Sequence, residues 1–368
     1  MLLCSQQAIL SATKPQQIYS MDPNTIDAEY EAYCEKYKKG QKYRELTNFV
    51  VLQQINYLYK LAQSALASNS SKNDLNGLSG QIVLKRPNGG DFPFRYTYHF
   101  TQGICDIYSN NEFILFEVDE QCENKYGFYA NYISKVSELR CFWEAKDKRN
   151  YKDFQHFIPN ITKYFHDKEN GKFVIVIRKP HLEDRPCRVY SLREVLNYFD
   201  GRLSINYVVS IVKRLYSIAC HVDIANMCHN GIILDNIYFS PGRFILPEEN
   251  YTVEDMRIVG LYGGWFFTTY KDEQVQGMPS VLSDVIPKYV IDTRYSSYEV
   301  DLLAIKKVAR ELLGDVTGEN LYGVHSTLAD WFNRTTCEKN AYEEYAKFEY
   351  LCEEVFGKPK FLEMDISI

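Results

Sequence analysis

An α+β chain with a helical N-terminal extension, a small β-rich lobe and a larger helical lobe is predicted by three observations. Residues 26–67 carry apolar side chains at helical spacing with no proline among them. Residues 81–190 are dominated by short β-prone runs parted by turn residues. Beyond Ser191 the apolar spacing is mostly helical again.

Within the extension, Ala28, Tyr30, Ala32, Tyr33 and Tyr37 lie on a charged amphipathic stretch that Gly40 stops. Leu46, Phe49, Val50, Ile55, Leu58, Leu61, Ala62 and Ala65 then form one apolar face. Residues 68–80, SNSSKNDLNGLSG, have linker composition. The expected organisation is an extension and linker over 1–80, a β-rich lobe over 81–190 and a helical lobe over 191–368.

In the β-rich lobe, Ile82–Leu84, Phe94–Phe100, Ile104–Tyr108 and Phe113–Val118 read as strands, separated by turns such as Asn88-Gly89-Gly90 and Asn110-Asn111. A helix follows over 124–144. The strands Ile161–Phe165 and Phe173–Ile177 flank the turn Lys168–Gly171. Ser191 and Glu194 form a capping box that opens the helical lobe. A strong helix over 205–227 carries the stripe Val208, Ile211, Val212, Leu215, Ile218 and Val222. Short strands at Asn236–Phe239 and Arg257–Leu261 precede the helices Tyr298–Leu313 and Ala341–Phe356, the last stopped by Gly357.

Composition narrows the function. The net charge of −6 argues against binding to a nucleic-acid backbone. The start MLLCSQQAIL lacks a basic segment and a long apolar run, so no signal peptide is expected. No stretch reaches 18 apolar residues, so no membrane span is expected either. The ten cysteines show neither CxxC spacing nor a zinc-like Cys/His cluster. That pattern predicts free thiols in a reducing cytoplasm, with no metal and no cofactor. Tyrosine (30) and phenylalanine (21) far outnumber tryptophan (3), which codon bias accounts for more simply than a sticky surface.

Several motifs resemble landmarks of the protein kinase domain. His229-Asn230-Gly231-Ile232-Ile233-Leu234-Asp235-Asn236-Ile237-Tyr238-Phe239 resembles the catalytic loop HRDLKPENILL, with Asn236 five residues after Gly231 as the loop Asn follows the Asp. Arg257-Ile258-Val259-Gly260-Leu261-Tyr262 sits where the strand into DFG belongs. Ile286-Pro287 looks like a remnant of APE, and Tyr298–Ala304 like the start of helix F. The chain is most similar to the degenerate kinase-like domain of bacteriophage DnaJ-like chaperone proteins. The similarity lies at Phe157–Ile161, Tyr190–Val195 and the tail Tyr345–Phe361, and spans roughly residues 80–364.

The resemblance implies a bilobal kinase-like fold and, residue by residue, a loss of its chemistry. Phosphoryl transfer is chiefly a matter of positioned charge: a strand Lys paired with a helix-C Glu, a loop Asp, a metal-holding DFG Asp and a loop Asn. The strand Lys falls at Glu117 or Phe116, and the helix Glu near Tyr129 or Asn131. Gly231 replaces the loop Asp, Gly260 the DFG Asp, and the glycine-rich loop is reduced to Gly103. His229 is the structural histidine of the motif, and Asn236 alone survives. Gly103 and Asn236 are the candidate ligand contacts. The expectation is an inactive pseudokinase that does not bind ATP and acts through protein partners in the cytoplasm of a phage host. An atypical nucleotide-binding enzyme or active atypical kinase, and a co-chaperone or virion module acting through the N-terminal helices, are the alternatives.

Three other groupings were weighed. His221, Asp223, Cys228 and His229 suit helix-end packing better than a metal or nucleophilic site, for want of a correctly spaced partner. Arg140, Lys146, Lys148, Arg149 and Lys152 are interleaved with Glu144, Asp147 and Asp153, as on a solvated face. Gly263–Phe267 is expected to be core. The extension occupies the place of a J domain, but no HPD tripeptide stands at 67–72.

Overall fold

The computed structural model describes residues 79–102, 105–148, 151, 154–182, 185–186, 189–240, 259–275, 277–357 and 364. Two compact units divide the chain, Met1–Leu75 and Asn76–Ile368, and every described residue belongs to the second. The expected helices over 26–67 therefore lie outside the described residues, as do Gly103, Arg257 and Ile258.

The small lobe begins with an antiparallel hairpin, β1 (Gly80–Lys85) and β2 (Asp91–Tyr96), turned at Gly89, whose φ is 79°. Next come β3 (Tyr98–Gln102), β4 (Cys105–Ser109) and β5 (Phe113–Asp119). One strand was expected over Phe94–Phe100. Thr97 divides it, because its N–H and hydroxyl both turn to the carbonyl of Ser109. Two helices follow, α1 (Glu120–Tyr126) and α2 (Phe128–Lys146). They replace the single helix expected over 124–144. Gly127 adopts the left-handed conformation (φ 64°) that ends α1. Glu123 then accepts the N–H groups of Tyr129 and Ala130, capping α2 from outside. The lobe closes with β6 (Asn160–Asp167) and β7 (Lys172–Arg178). The five strands after the hairpin form one antiparallel sheet in the order β3-β4-β5-β7-β6.

Both faces of this sheet are covered. Ile114, Phe116, Val118, Ile175 and Ile177 face α2 and join the main core. Leu115, Val174 and Val176 point the other way and form a second, smaller core with Leu84 and Phe94 of the hairpin.

The short ribbons β8 (His181–Leu182) and β9 (Arg185–Pro186) lead to β10 (Tyr190–Ser191) and the helical lobe. Helix α3 (Leu192–Tyr198) carries the expected capping box: Ser191 Oγ accepts the Glu194 N–H, and Glu194 accepts the Ser191 N–H at 2.7 Å. Helix α4 (Ile205–Ile224) buries its apolar stripe and ends three residues short of the expected limit, where β11 (Met227–Cys228) begins. β12 (Ile237–Phe239) and β13 (Val259–Leu261) pair with β10 in the order β10-β12-β13. β14 (Thr269–Tyr270) pairs with β11. Helices α5 (Lys288–Thr293), α6 (Tyr298–Leu312), α7 (Ser326–Asn333) and α8 (Ala341–Phe356) complete the lobe. Lys306 of α6 and Glu344 of α8 form an enclosed ion pair at 2.7 Å, and Lys306 also donates to Thr336 O.

Candidate functional site

Helix α6 fixes the loop that follows α4. Buried Asp301 accepts the N–H groups of His229 (2.7 Å) and Asn230 (2.8 Å). Burial pushes its carboxyl up to about 7, against the pull of those two donors. Asn230 has φ 59°, a conformation asparagine tolerates. Its amide donates to Phe267 O and Thr269 Oγ1, both at 3.0 Å, and its carbonyl accepts from Ser296 Oγ. The amide of Asn236 donates to Gly231 O at 2.8 Å, so the start and end of the loop are tied together. The fold is protein-kinase-like. It has the two lobes, the strand order of the small lobe, and a loop anchored on a helix-F aspartate and closed by its own asparagine.

No family model and no curated protein matches the chain. Among solved structures it is similar to vaccinia related kinase 3, at 15% identity over 80% of this chain and 95% of that one (TM-score 0.45). It is also similar to the BubR1 kinase domain, at 12% identity over 81% and 93% (TM-score 0.48). A third similar structure is the PknI kinase domain of Mycobacterium tuberculosis, at 10% identity over 74% and 95% (TM-score 0.41).

The candidate residues fall into two groups. His229, Gly231 and Asn236 come together. His229 is fully buried, its ring edge-on to Trp265, and burial lowers its pKa to about 3. A Cβ on Gly231 would lie 2.9 Å from Gly264 O and 3.2 Å from Gly264 Cα. A Cβ on Gly264, whose φ is 79°, would lie 2.7 Å from Gly231 O, Asn236 Nδ2 and His229 Cε1. The two glycines thus pack backbone to backbone, with no room between them for a side chain.

Glu117 and Gly260 stand elsewhere. The pleat of β5 turns Glu117 to the same side as Leu115, opposite Asp106 of β4 and away from α2. Burial and the Asp106 charge push its carboxyl up to about 7. The side chain that faces α2 is Phe116, its ring 5.5 Å from Tyr132 and 5.8 Å from Phe266. Tyr132, rather than Tyr129 or Asn131, occupies the facing position on the helix, and its hydroxyl donates to Tyr262 O at 2.5 Å. Tyr129 instead packs on Phe173, and Asn131 donates to the carbonyls of Phe266 and Thr268. Gly260 lies within β13 opposite Tyr238, because the strand continues to Leu261. The glycines that meet Asn236 come later, at 263 and 264. This register correction returns no acid to the site, since Val259–Thr268 contains no carboxylate.

Asp301, Asn230, Tyr132 and the Gly263-Gly264 pair were missed by sequence reasoning. An aspartate in the first turn of an otherwise apolar helix, and two adjacent glycines before an aromatic run, were the available signals. Among the described residues no group of His, Cys, Asp or Glu could hold a metal ion. No described helix is long and apolar enough to cross a membrane. His221 stacks on Phe154 and Asp223 pairs with Lys271 at 2.7 Å, so both are used in packing. Arg140 donates to the carbonyls of Pro159, Gln155 and Ile158, while Arg149 and Lys152 lie outside the described residues. Trp265 and Phe266 are buried.

Proposed function

We propose that this chain is a catalytically inactive kinase-fold protein that works as a scaffold or regulator for a protein partner. The observation that carries the proposal is the approach of Gly231 to Gly264. A base on residue 231 would need the space that Gly264 O already fills. Supporting it, the aromatic contact Phe116–Tyr132 stands in place of an ion pair that would grip phosphate. A partner surface is suggested by Val281, Tyr289, Ile291 and Tyr295, exposed apolar side chains gathered in one stretch of the helical lobe. The setting we propose follows the sequence resemblance: a phage-encoded protein in the cytoplasm of its host. A co-chaperone role for residues 1–80 is a narrower form of the same reading, and partner capture with and without them separates the two.

The test is transfer of labelled γ-phosphate by the full chain, to itself and to a generic acceptor protein, with magnesium or manganese. No transfer above the protein-free background is expected. Transfer that is lost in the Asn236→Ala variant overturns the proposal.

A second reading, a nucleotide-dependent enzyme of another kind, draws on one observation. Asn236 Oδ1 and the Tyr238 hydroxyl are buried with no hydrogen bond among the described residues, and such groups call for a partner. Saturable thermal stabilisation by ATP would favour it.

A further inference from the structure

Behind the segment that joins the lobes lies a cavity of about 250 Å³. Its lining includes Arg140, His156, Asn160, Arg178, Lys179 and Tyr262, and among the described residues no carboxylate. In a chain of net charge −6, a lining that holds three cationic residues and a histidine, with no acid among the described residues, is a local reversal of sign. We propose that this cavity binds a phosphate-sized oxyanion, either free phosphate or the phosphomonoester group of a small metabolite.

The state of each cation supports this. Lys179 is buried, and its ammonium donates to Val189 O at 2.9 Å, the one acceptor it has among the described residues. An ammonium carries three N–H donors, so two have no acceptor among the described residues. Burial accordingly lowers the Lys179 pKa to about 8, opposed only by the charge of Glu194. The Glu194 carboxylate is already engaged, capping α3 through the Ser191 N–H. Arg178 stands exposed at the rim and makes no ion pair among the described residues. Arg140 is held rigid by its carbonyl acceptors, so its charge stays fixed beside the cavity. Burial and the Arg140 charge lower the His156 pKa. A dianion would reverse that effect and supply acceptors to Lys179 and Arg178 together. Charge-assisted hydrogen bonds of this kind are the stronger class.

The test uses the full chain with orthophosphate, glycerol 3-phosphate and, at matched ionic strength, sodium chloride. Orthophosphate is expected to raise the melting temperature saturably where chloride does not. Arg178→Gln, a rim change that leaves the core untouched, is expected to weaken binding roughly tenfold, and Lys179→Met to abolish it. In the same titration the His156 ring proton signal should report a pKa raised by phosphate, a readout that does not depend on folding of the variants. Tighter binding of glycerol 3-phosphate would identify the phosphomonoester as the ligand chemistry, and tighter orthophosphate the free ion. A shift reproduced by chloride, or binding unchanged in both variants with an unmoved His156 titration, overturns the proposal.

Discussion

The amide of Asn236 donates to the carbonyl of Gly231 at 2.8 Å, with both residues enclosed in the core. That one bond spans the loop, and it joins two residues with no charge between them. Asn236→Ala leaves the Gly231 carbonyl buried without its donor. The expected cost is about 2 kcal/mol, the upper part of the range for an orphaned buried acceptor. Urea unfolding measures it; a loss below about 0.5 kcal/mol would mean that the loop is held mainly by Asp301.

Phe116 is fully buried against Tyr132 and Phe266. Placing a cation there with Phe116→Lys is expected to destabilise the chain by about 3 kcal/mol or more, since an aromatic contact is lost and a charge is buried with no acid facing it among the described residues. No gain in ATP binding should accompany the loss. A variant that keeps its stability and is further stabilised by ATP would show that residue 116 faces an open cleft.

Glu117 gives a pH dependence with a defined sign. Its ordinary value is near 4.5, and burial with the Asp106 charge raises it to about 7 in the fold. The folded state therefore binds the proton more tightly than the unfolded state. Its contribution to stability is complete below about 4.5 and is lost as the pH rises through about 7. Asp301 acts in the same direction over a similar window. His229, lowered to about 3, acts oppositely: its contribution is complete above 6.5 and is lost as the pH falls through about 3. The net curve is mixed, so the difference between wild type and Glu117→Gln isolates the one group. That difference is expected to move by about 2 kcal/mol in favour of the Gln variant between pH 4.5 and 8. Equal differences at the two pH values would place Glu117 in contact with water.

Signals confined to a few neighbouring residues were the ones legible in the sequence. The last helix, Ala341–Phe356, was bounded by its periodicity and by Gly357, and the capping box at Ser191 and Glu194 by the two residues that make it. The strand at 113–118 was equally plain, but its facing was not. Ile114, Phe116 and Val118 alternate with Leu115, and a strand buried on both faces has no polar side to orient it. That ambiguity left Glu117 and Phe116 both open, and the pleat turns Phe116 toward α2. Gly260 was chosen because motif spacing cannot show how far a strand runs, whereas the β12–β13 pairing carries the strand to Leu261. The break at Gly127 was missed because a lone glycine inside a helical pattern is usually tolerated. The closing of the site by Gly264 depends on two backbones meeting across more than thirty residues, and no local pattern records it.

The approach of Gly231 to Gly264 is tested most directly by Gly231→Ala. Gly231 is not among the residues with positive φ, and alanine at an unstrained, uncrowded glycine ordinarily stabilises a protein by about 0.4–1 kcal/mol. With Gly264 O only 2.9 Å from the new methyl position, we expect urea unfolding to show a loss of about 2 kcal/mol instead. An unchanged or increased stability would mean that residue 231 faces open space, and its closure by Gly264 would be contradicted.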